Sequence, residues 1–280
     1  MVGLQYRFSS MYPWPEVLFV ENANLYLPIL ERESLDVEKE VEGICSILRE
    51  LNISPKSKIL DLACGIGRHS ISLANKGFRV TGVDKSPLYL SIANQKAKLD
   101  PSLNSRLKFV MTDIKRISTD MIIKKRAKFD VIISMCQSIG YYGVAYDEKI
   151  FSDLTKVAST NCTLIIEVEN RDWRVRNFQP YIMYDFDLSQ IHEQWILNLE
   201  TSTAQSNMNF YEKISGSRIL RHLKSVNIQI RLYSIHELKE LLERNGWKYV
   251  NSYGNIKTLE PLSINSEYIV AVFRAKKDSR

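Results

Sequence analysis

The run Lys58-Ile59-Leu60-Asp61-Leu62-Ala63-Cys64-Gly65-Ile66-Gly67-Arg68 constrains the fold more than any other part of this 280-residue chain. It reads as a buried strand, an acid at the strand end, a tight Gly-x-Gly turn and the start of a helix. A second apolar strand, Phe78-Arg79-Val80-Thr81-Gly82-Val83, ends in Asp84, 19 residues after Gly65. A glycine turn at one strand tip and an acid at the next form a nucleoside-binding device. The glycines let the backbone approach a ligand closely, and the second acid accepts hydrogen bonds from ribose hydroxyls.

Two nucleoside cofactors compete for such a device. A dinucleotide site asks for G-x-G-x-x-G, and Gly65, Gly67 and Ser70 give only a near match. Asp61 at the strand end would sit beside a pyrophosphate, which is electrostatically poor. The same carboxylate suits S-adenosylmethionine, which carries a sulfonium and an ammonium.

These motifs carry a family resemblance. Asp61 to Gly67 resembles motif I of the class I S-adenosylmethionine-dependent methyltransferases, and Val80 to Asp84 their motif II. Thr112-Asp113-Ile114 resembles the adenine-contacting motif, and Phe129 to Ser134 the fourth strand, whose end faces the reacting methyl group. The resemblance implies cofactor contacts from Asp61, Ala63, Cys64, Gly65, Gly67, Arg68, Asp84, Lys85, Asp113, Ile114, Ser134 and Met135. In that reading Asp84 takes the ribose, Asp113 the adenine amino group, and the amides opening helix 68–76 the cofactor carboxylate.

The rest of the chain is consistent with this frame. Residues 36–51 have helical spacing, and strands and helices alternate at 57–63, 68–76, 78–83, 86–99, 106–111, 114–123, 129–134, 147–159 and 162–168. Such alternation predicts an α/β fold, a Rossmann-like, doubly wound, mostly parallel seven-stranded sheet. Residues 169–233 leave the pattern. Three period-two segments around Trp195, Met208 and Val226 predict an antiparallel meander inserted after strand 5. Ser234 and Glu237 then open a helix as a capping box, and strands near 247–253 and 267–274 complete the sheet. Three units are expected: an N-terminal helical cap (1–56), a cofactor-binding core (57–168 and 234–280) and a β lid (169–233). The cap is aromatic, with Tyr6, Phe8, Tyr12, Trp14, Phe19 and Tyr26, and Pro13, Pro15 and Pro28 predict breaks there. A meander in this place resembles the lid of sugar-amine and amino-acid N-methyltransferases, which implies a small-molecule acceptor methylated at N or O.

Acceptor-side candidates follow from position. Tyr141 and Tyr142 lie in the loop after strand four, and Glu169, Asn170 and Arg171 in the loop after strand five. Tyr141 and His222 are candidates for the catalytic proton acceptor. Arg68 and His69 follow the glycine turn, where each is also readable as an ordinary first-turn residue. Residues 213–231 hold Lys213, Arg218, Arg221, Lys224 and Arg231 with no acid, while Arg171 and Arg174 enter the same region. These suggest an anionic or zwitterionic acceptor. The same stretch, with Lys115, Arg116, Lys124, Lys125, Arg126 and Lys128, supports a rival reading as an RNA methyltransferase. Against RNA, Met135 and not Pro precedes Cys136, and no Asn/Asp-Pro-Pro-Tyr/Phe sequence occurs. A non-catalytic partner subunit on the same fold is a third reading, weakened by the intact motifs.

Composition bounds the setting. Hydrophobic content of 45% is ordinary for a globular protein, and no stretch of 18 apolar residues occurs, so no spanning helix and no membrane partner are expected. Cys45, Cys64, Cys136 and Cys162 lie far apart, without a C-x-x-C pair, so no metal site is expected. Free thiols and the lack of a leader pattern point to the cytoplasm.

Overall fold

The structure is a computed structural model that describes residues 14–125 and 128–276. Tyr6, Phe8, Tyr12, Pro13 and Arg126 lie outside the described residues. The described chain opens with a helical turn, α1 (Trp14–Glu16), which runs into a π-helical turn at Val17–Glu21. Helices α2 (Ala23–Glu33) and α3 (Val37–Glu50) follow. Pro28 sits inside α2 instead of ending it, because the helix is held from outside by the buried Ala23 and Ile29. On α3, Val41, Ile44 and Leu48 are buried, as their spacing predicts.

Strands β1 (Lys58–Leu62), β2 (Arg79–Asp84), β3 (Leu107–Met111), β4 (Phe129–Ser134) and β5 (Ala158–Glu169) alternate with α4 (Arg68–Asn75), α5 (Pro87–Lys98), α6 (Met121–Lys124) and α7 (Val144–Thr155). Beyond an insertion come α9 (Ile235–Arg244), β10 (Trp247–Tyr253) and β11 (Tyr268–Ala275). Seven strands form one sheet in the order β10-β11-β5-β4-β1-β2-β3. Neighbours from β3 across to β5 are parallel, and β11 alone runs against both its neighbours. Side chains along each strand alternate between two apolar layers. Ile59, Val131, Ile133 and Ile165 pack with α3 and α4. Leu60, Leu62, Ile132 and Leu164 pack with residues of α7 and α9. The strand order reverses between β1 and β4, and a crevice opens at the carboxyl ends of the strands there.

One expected helix is not continuous. Residues 114–123 form a 3-10 turn at Ile114–Arg116 and the short α6. Asp113 caps the first through the Lys115 amide at 2.9 Å, and Asp120 caps the second through the Ile122 and Ile123 amides. Two competing side-chain caps divide the segment.

The insertion holds α8 (Arg171–Arg176) and a separate antiparallel sheet. Its strands β6 (Tyr181–Asp185), β7 (Ser189–Asn198), β8 (Thr203–Lys213) and β9 (Leu220–Arg231) pair in sequence order. Strand β6 is additional to the three segments that the sequence pattern shows. The inner face of this sheet shares a core with the N-terminal segment, where Leu18 and Ile29 meet Ile191, Trp195, Met208 and Ile228. Trp14 Nε1 donates to the Gln229 carbonyl of the edge strand β9 at 2.9 Å.

The second sheet is tied to the first by backbone. The Arg231 amide donates to the Gly140 carbonyl at 2.8 Å. Asp147 on α7 accepts from the Gly140 amide at 3.2 Å and from the Tyr233 hydroxyl at 2.6 Å. Gly140 has φ +95°, and a Cβ there would lie 2.4 Å from the Arg231 carbonyl oxygen. Gly140→Ala is therefore expected to lower stability by about 2 kcal/mol or more, through strain and overpacking together. Denaturant titration checks this, and an unchanged midpoint would show that the approach relaxes freely.

Candidate active site

The cofactor cleft is built at the tips of β1, β2 and β3. After β1 the chain turns through Ala63, Gly65 and Gly67, with φ of +52°, +54° and +78°. A Cβ on Gly67 would lie 2.7 Å from Phe109 Cζ, so this glycine is a packing requirement as well as a turn. Above Gly65 a Cβ would meet nothing nearer than Leu30 Cδ1 at 3.8 Å, so its backbone borders open space. Asp84 at the tip of β2 accepts from the Gly65 amide at 2.9 Å and from the Ser86 amide at 2.8 Å. This carboxylate fastens two strand-end turns together. Asp61 accepts from Ser70 Oγ at 2.6 Å and is nearly fully buried. Burial raises the pKa of both acids, most of all by desolvation.

Asp61, Ala63, Cys64, Gly65, Arg68, Asp84, Lys85, Asp113, Ile114 and Met135 line this cleft. So do Tyr141 and Tyr142. Gly67 and Ser134 do not. Gly67 lies behind the turn against Phe109, and the buried Ser134 hydroxyl has no partner within the protein. The N-terminal segment covers the mouth. Glu16 pairs with Lys85 and, at 3.6 Å, with Lys115, while Lys85 Nζ donates to Tyr142 Oη at 2.7 Å.

A second chamber opens beside the first. Phe19, Tyr26, Glu33, Arg68, Cys136 and Tyr141 line both, so the two spaces meet there. Arg68 is deeply buried at this junction. Its guanidinium donates to the Glu33 carbonyl and to Cys136 Sγ, and it pairs with Glu40 at 3.3 Å and Glu33 at 3.4 Å. His69 packs on Glu40 with Nε2 2.8 Å from Oε2, the ordinary structural role for a buried histidine. The loop after β4 is strained: Cys136 and Gln137 have φ of +54° and +56°. Glu167 holds it by accepting from the Cys136 amide at 3.3 Å and, through its carbonyl, from the Gln137 amide at 3.2 Å.

Several sequence candidates lie elsewhere. His222 is exposed on β9 and bonds Ser225 Oγ at 2.9 Å, because alternation turns it outward with Tyr211. Asn170 caps α8 through the Asp172 amide and donates to the Ser266 carbonyl, so it is structural. Arg171 is drawn to Ser202 and Asp172. Tyr142 faces the cofactor cleft and not the chamber. Glu169 and Arg174 do line the chamber and pair at 3.2 Å. Of the basic residues of 213–231, Lys213 pairs with Asp185, Arg221 with Glu212 and the largely buried Arg231 with Glu237. None of them lines the chamber.

Chamber residues the sequence reading passes over are Glu33, Glu167, Glu193, Tyr184 and Trp195. Glu167 had a signal, being a lone acid within the buried run Leu164-Ile165-Ile166-Glu167-Val168. Glu33 had none, since a glutamate at the end of an amphipathic helix is normally solvated. Among the described residues no group of three or more His, Cys, Asp or Glu could hold a metal ion, and no helix is long and apolar enough to cross a membrane.

Comparison with known proteins agrees with this geometry. A model of the methyltransferase domain family matches residues 53–246. The chain is 28% identical over 232 residues to a putative methyltransferase, YqeM, of Bacillus subtilis, covering 81% of this chain and 87% of that one. A solved S-adenosylmethionine-dependent methyltransferase from Clostridium acetobutylicum superposes with TM-score 0.73 at 18% identity, over 92% of this chain and 98% of that chain. The sugar N-methyltransferase KedS8 from Streptoalloteichus superposes with TM-score 0.64 at 16% identity, over 90% and 93%. At these identities the two structures speak for the fold. The chain belongs to the methyltransferase domain family. It is an S-adenosylmethionine-dependent methyltransferase, and the acids, glycine turn and helix start of the cleft fit that cofactor.

Asp84→Ala is expected to weaken S-adenosylmethionine binding at least about tenfold, since one hydrogen bond to a charged acceptor is worth that much. Calorimetry measures it, and an unchanged affinity would mean the ribose is held elsewhere.

Proposed function

We propose that this enzyme methylates a small amine at nitrogen. One observation carries the reading: the chamber joined to the cofactor cleft is acidic and aromatic. Glu167 and Glu193 line it, are both more than nine-tenths buried, and have no ion-pair partner among the described residues. A buried carboxylate without a cation is unfavourable, and burial raises the pKa of both. An ammonium ligand supplies the missing charge. Trp14, Phe19, Tyr26, Tyr141, Tyr184 and Trp195 also line the chamber, and such rings favour a cation. None of the 213–231 cations lines the chamber, and Arg174 there is paired with Glu169, which weighs against an anionic acceptor. One structural neighbour is by its name a sugar N-methyltransferase, which favours the same reading.

The chemistry asks little of the protein beyond placement. The cofactor supplies an already activated sulfonium methyl for in-line displacement. Positioning by the N-terminal segment and the second sheet, acting as a lid, contributes roughly 7–11 kcal/mol. The amine enters charged and must lose a proton before attack. Glu33 is placed to take it, because it lines both spaces and burial raises its carboxyl above the ordinary range. Tyr141 lines the same junction, but burial drives its hydroxyl further from ionising, so it positions the amine.

Labelled S-adenosylmethionine over panels of amines, alcohols and RNA tests the reading. Transfer to nitrogen is expected. Transfer to RNA with a steep salt dependence would overturn it in favour of a nucleic-acid acceptor. Within an active pair, Glu33→Gln should lower kcat about a hundredfold with cofactor affinity unchanged. A wild-type kcat would remove Glu33 from the proton step.

A further inference from the structure

Two buried acids of the chamber lie in separate charge environments. Glu167 is on β5 of the large sheet and Glu193 on β7 of the second sheet, and they are 7% and 6% exposed. Each carboxylate has one oxygen engaged. Glu167 Oε2 accepts from the Cys136 amide at 3.3 Å, and Glu193 Oε2 from Trp195 Nε1 at 2.7 Å. The Oε1 atom of each has no hydrogen-bond partner among the described residues, and neither is sealed away in the manner of Arg174 Nε. Both acids line the chamber, so these free oxygens are open to what enters it. Burial lifts the Glu193 carboxyl to about 7 although Arg174 is near, because that arginine is already paired with Glu169 at 3.2 Å. Burial raises Glu167 too, and its charged neighbours are others: Glu40, His69 and Arg68. Besides burial, Glu33 and Glu193 both hold the Tyr26 hydroxyl from ionising, so one ring lies near both acids. Leu18, Ile182, Met208, Ile228 and Ile230 also line the chamber, and these alkyl walls offer a ligand nothing to hydrogen-bond.

We propose that the acceptor is a linear diamine: two ammonium groups joined by a methylene spacer, one nitrogen by Glu33 and Glu167 and the other at Glu193. This rests on the amine reading of the chamber. Ionised Glu193, with the Arg174–Glu169 pair, leaves one surplus negative charge, which a second ammonium cancels. An uncharged end at that place would leave a buried carboxylate uncompensated. The methylene spacer suits the alkyl walls, since both lose contact with water together. The nitrogen by the cofactor junction gives its proton to Glu33 and takes the methyl as the sulfonium becomes a thioether. The distant nitrogen keeps its protons and serves only to hold the molecule.

Diaminobutane, diaminohexane and diaminooctane are compared with butylamine, hexylamine and octylamine. Methyl transfer from labelled S-adenosylmethionine gives kcat/KM for each, and calorimetry on the protein loaded with S-adenosylhomocysteine gives binding. Comparison at equal chain length removes the contribution of apolar contact. At one length or more the diamine should exceed its monoamine by at least about tenfold, mostly through KM, the worth of one charge-assisted hydrogen bond. Glu193→Gln keeps an acceptor for Trp195 Nε1 and removes the charge, so it should collapse that ratio. Taking the ratio within each protein cancels any loss of folded enzyme. Transfer to monoamines equal to or better than transfer to diamines at every length would overturn the diamine and leave the amine reading standing. A ratio that survives Glu193→Gln would overturn the place given to the second nitrogen. Tighter binding of a diamine that is lost in Glu193→Gln, with no probe methylated, would sustain the two-cation site and overturn the amine reading instead. No binding and no transfer would overturn both.

Discussion

The buried guanidinium of Arg68 is the constraint around which the two halves of the site are arranged. It starts the helix that follows the glycine turn, so the cofactor motif fixes its place. From there it reaches the end of α2, the start of α3 and the loop after β4 through Glu33, Glu40 and Cys136. A cation taken out of water must be compensated nearly completely. That requirement pulls the N-terminal helices onto the core and sets the boundary between cofactor cleft and acceptor chamber. The arginine that the motif resemblance counts among the cofactor contacts thus has its charge answered mainly by the protein.

The cofactor half was legible because its chemistry is local. A glycine turn, an acid at a strand end and a second acid 19 residues on are all set by neighbours in sequence. Even so, Gly67 and Ser134 were assigned to the cleft and lie behind it, since a motif does not say which of its residues faces the ligand. The fold was readable for a similar reason: strands buried on both faces give unbroken apolar runs. Strand β6 was missed because five residues bounded by loops do not establish a period.

The acceptor half was much less legible. Its chamber draws residues from α2, β5, α8 and β7, which meet only in three dimensions. A count of charges along 213–231 suggested a basic lining, yet none of those side chains lines the chamber, and three of them pair with acids elsewhere. Charge along a chain is a poor guide to charge inside a cavity when each strand has two faces. The buried acid in the β5 run was the better clue, because a glutamate among isoleucines is unfavourable unless it has a use.

Trp14 closes the account of the N-terminal segment in a different respect. Its indole takes a carbonyl on β9, a strand with a neighbour on one side only. The segment that roofs the cofactor is therefore also the cover of an open sheet edge. Displacing this segment would take the Trp14 donor from the β9 edge as well as the Glu16 carboxylate from the mouth of the cleft. A chain clipped within this segment would be left with a sticky edge as well as an unroofed site.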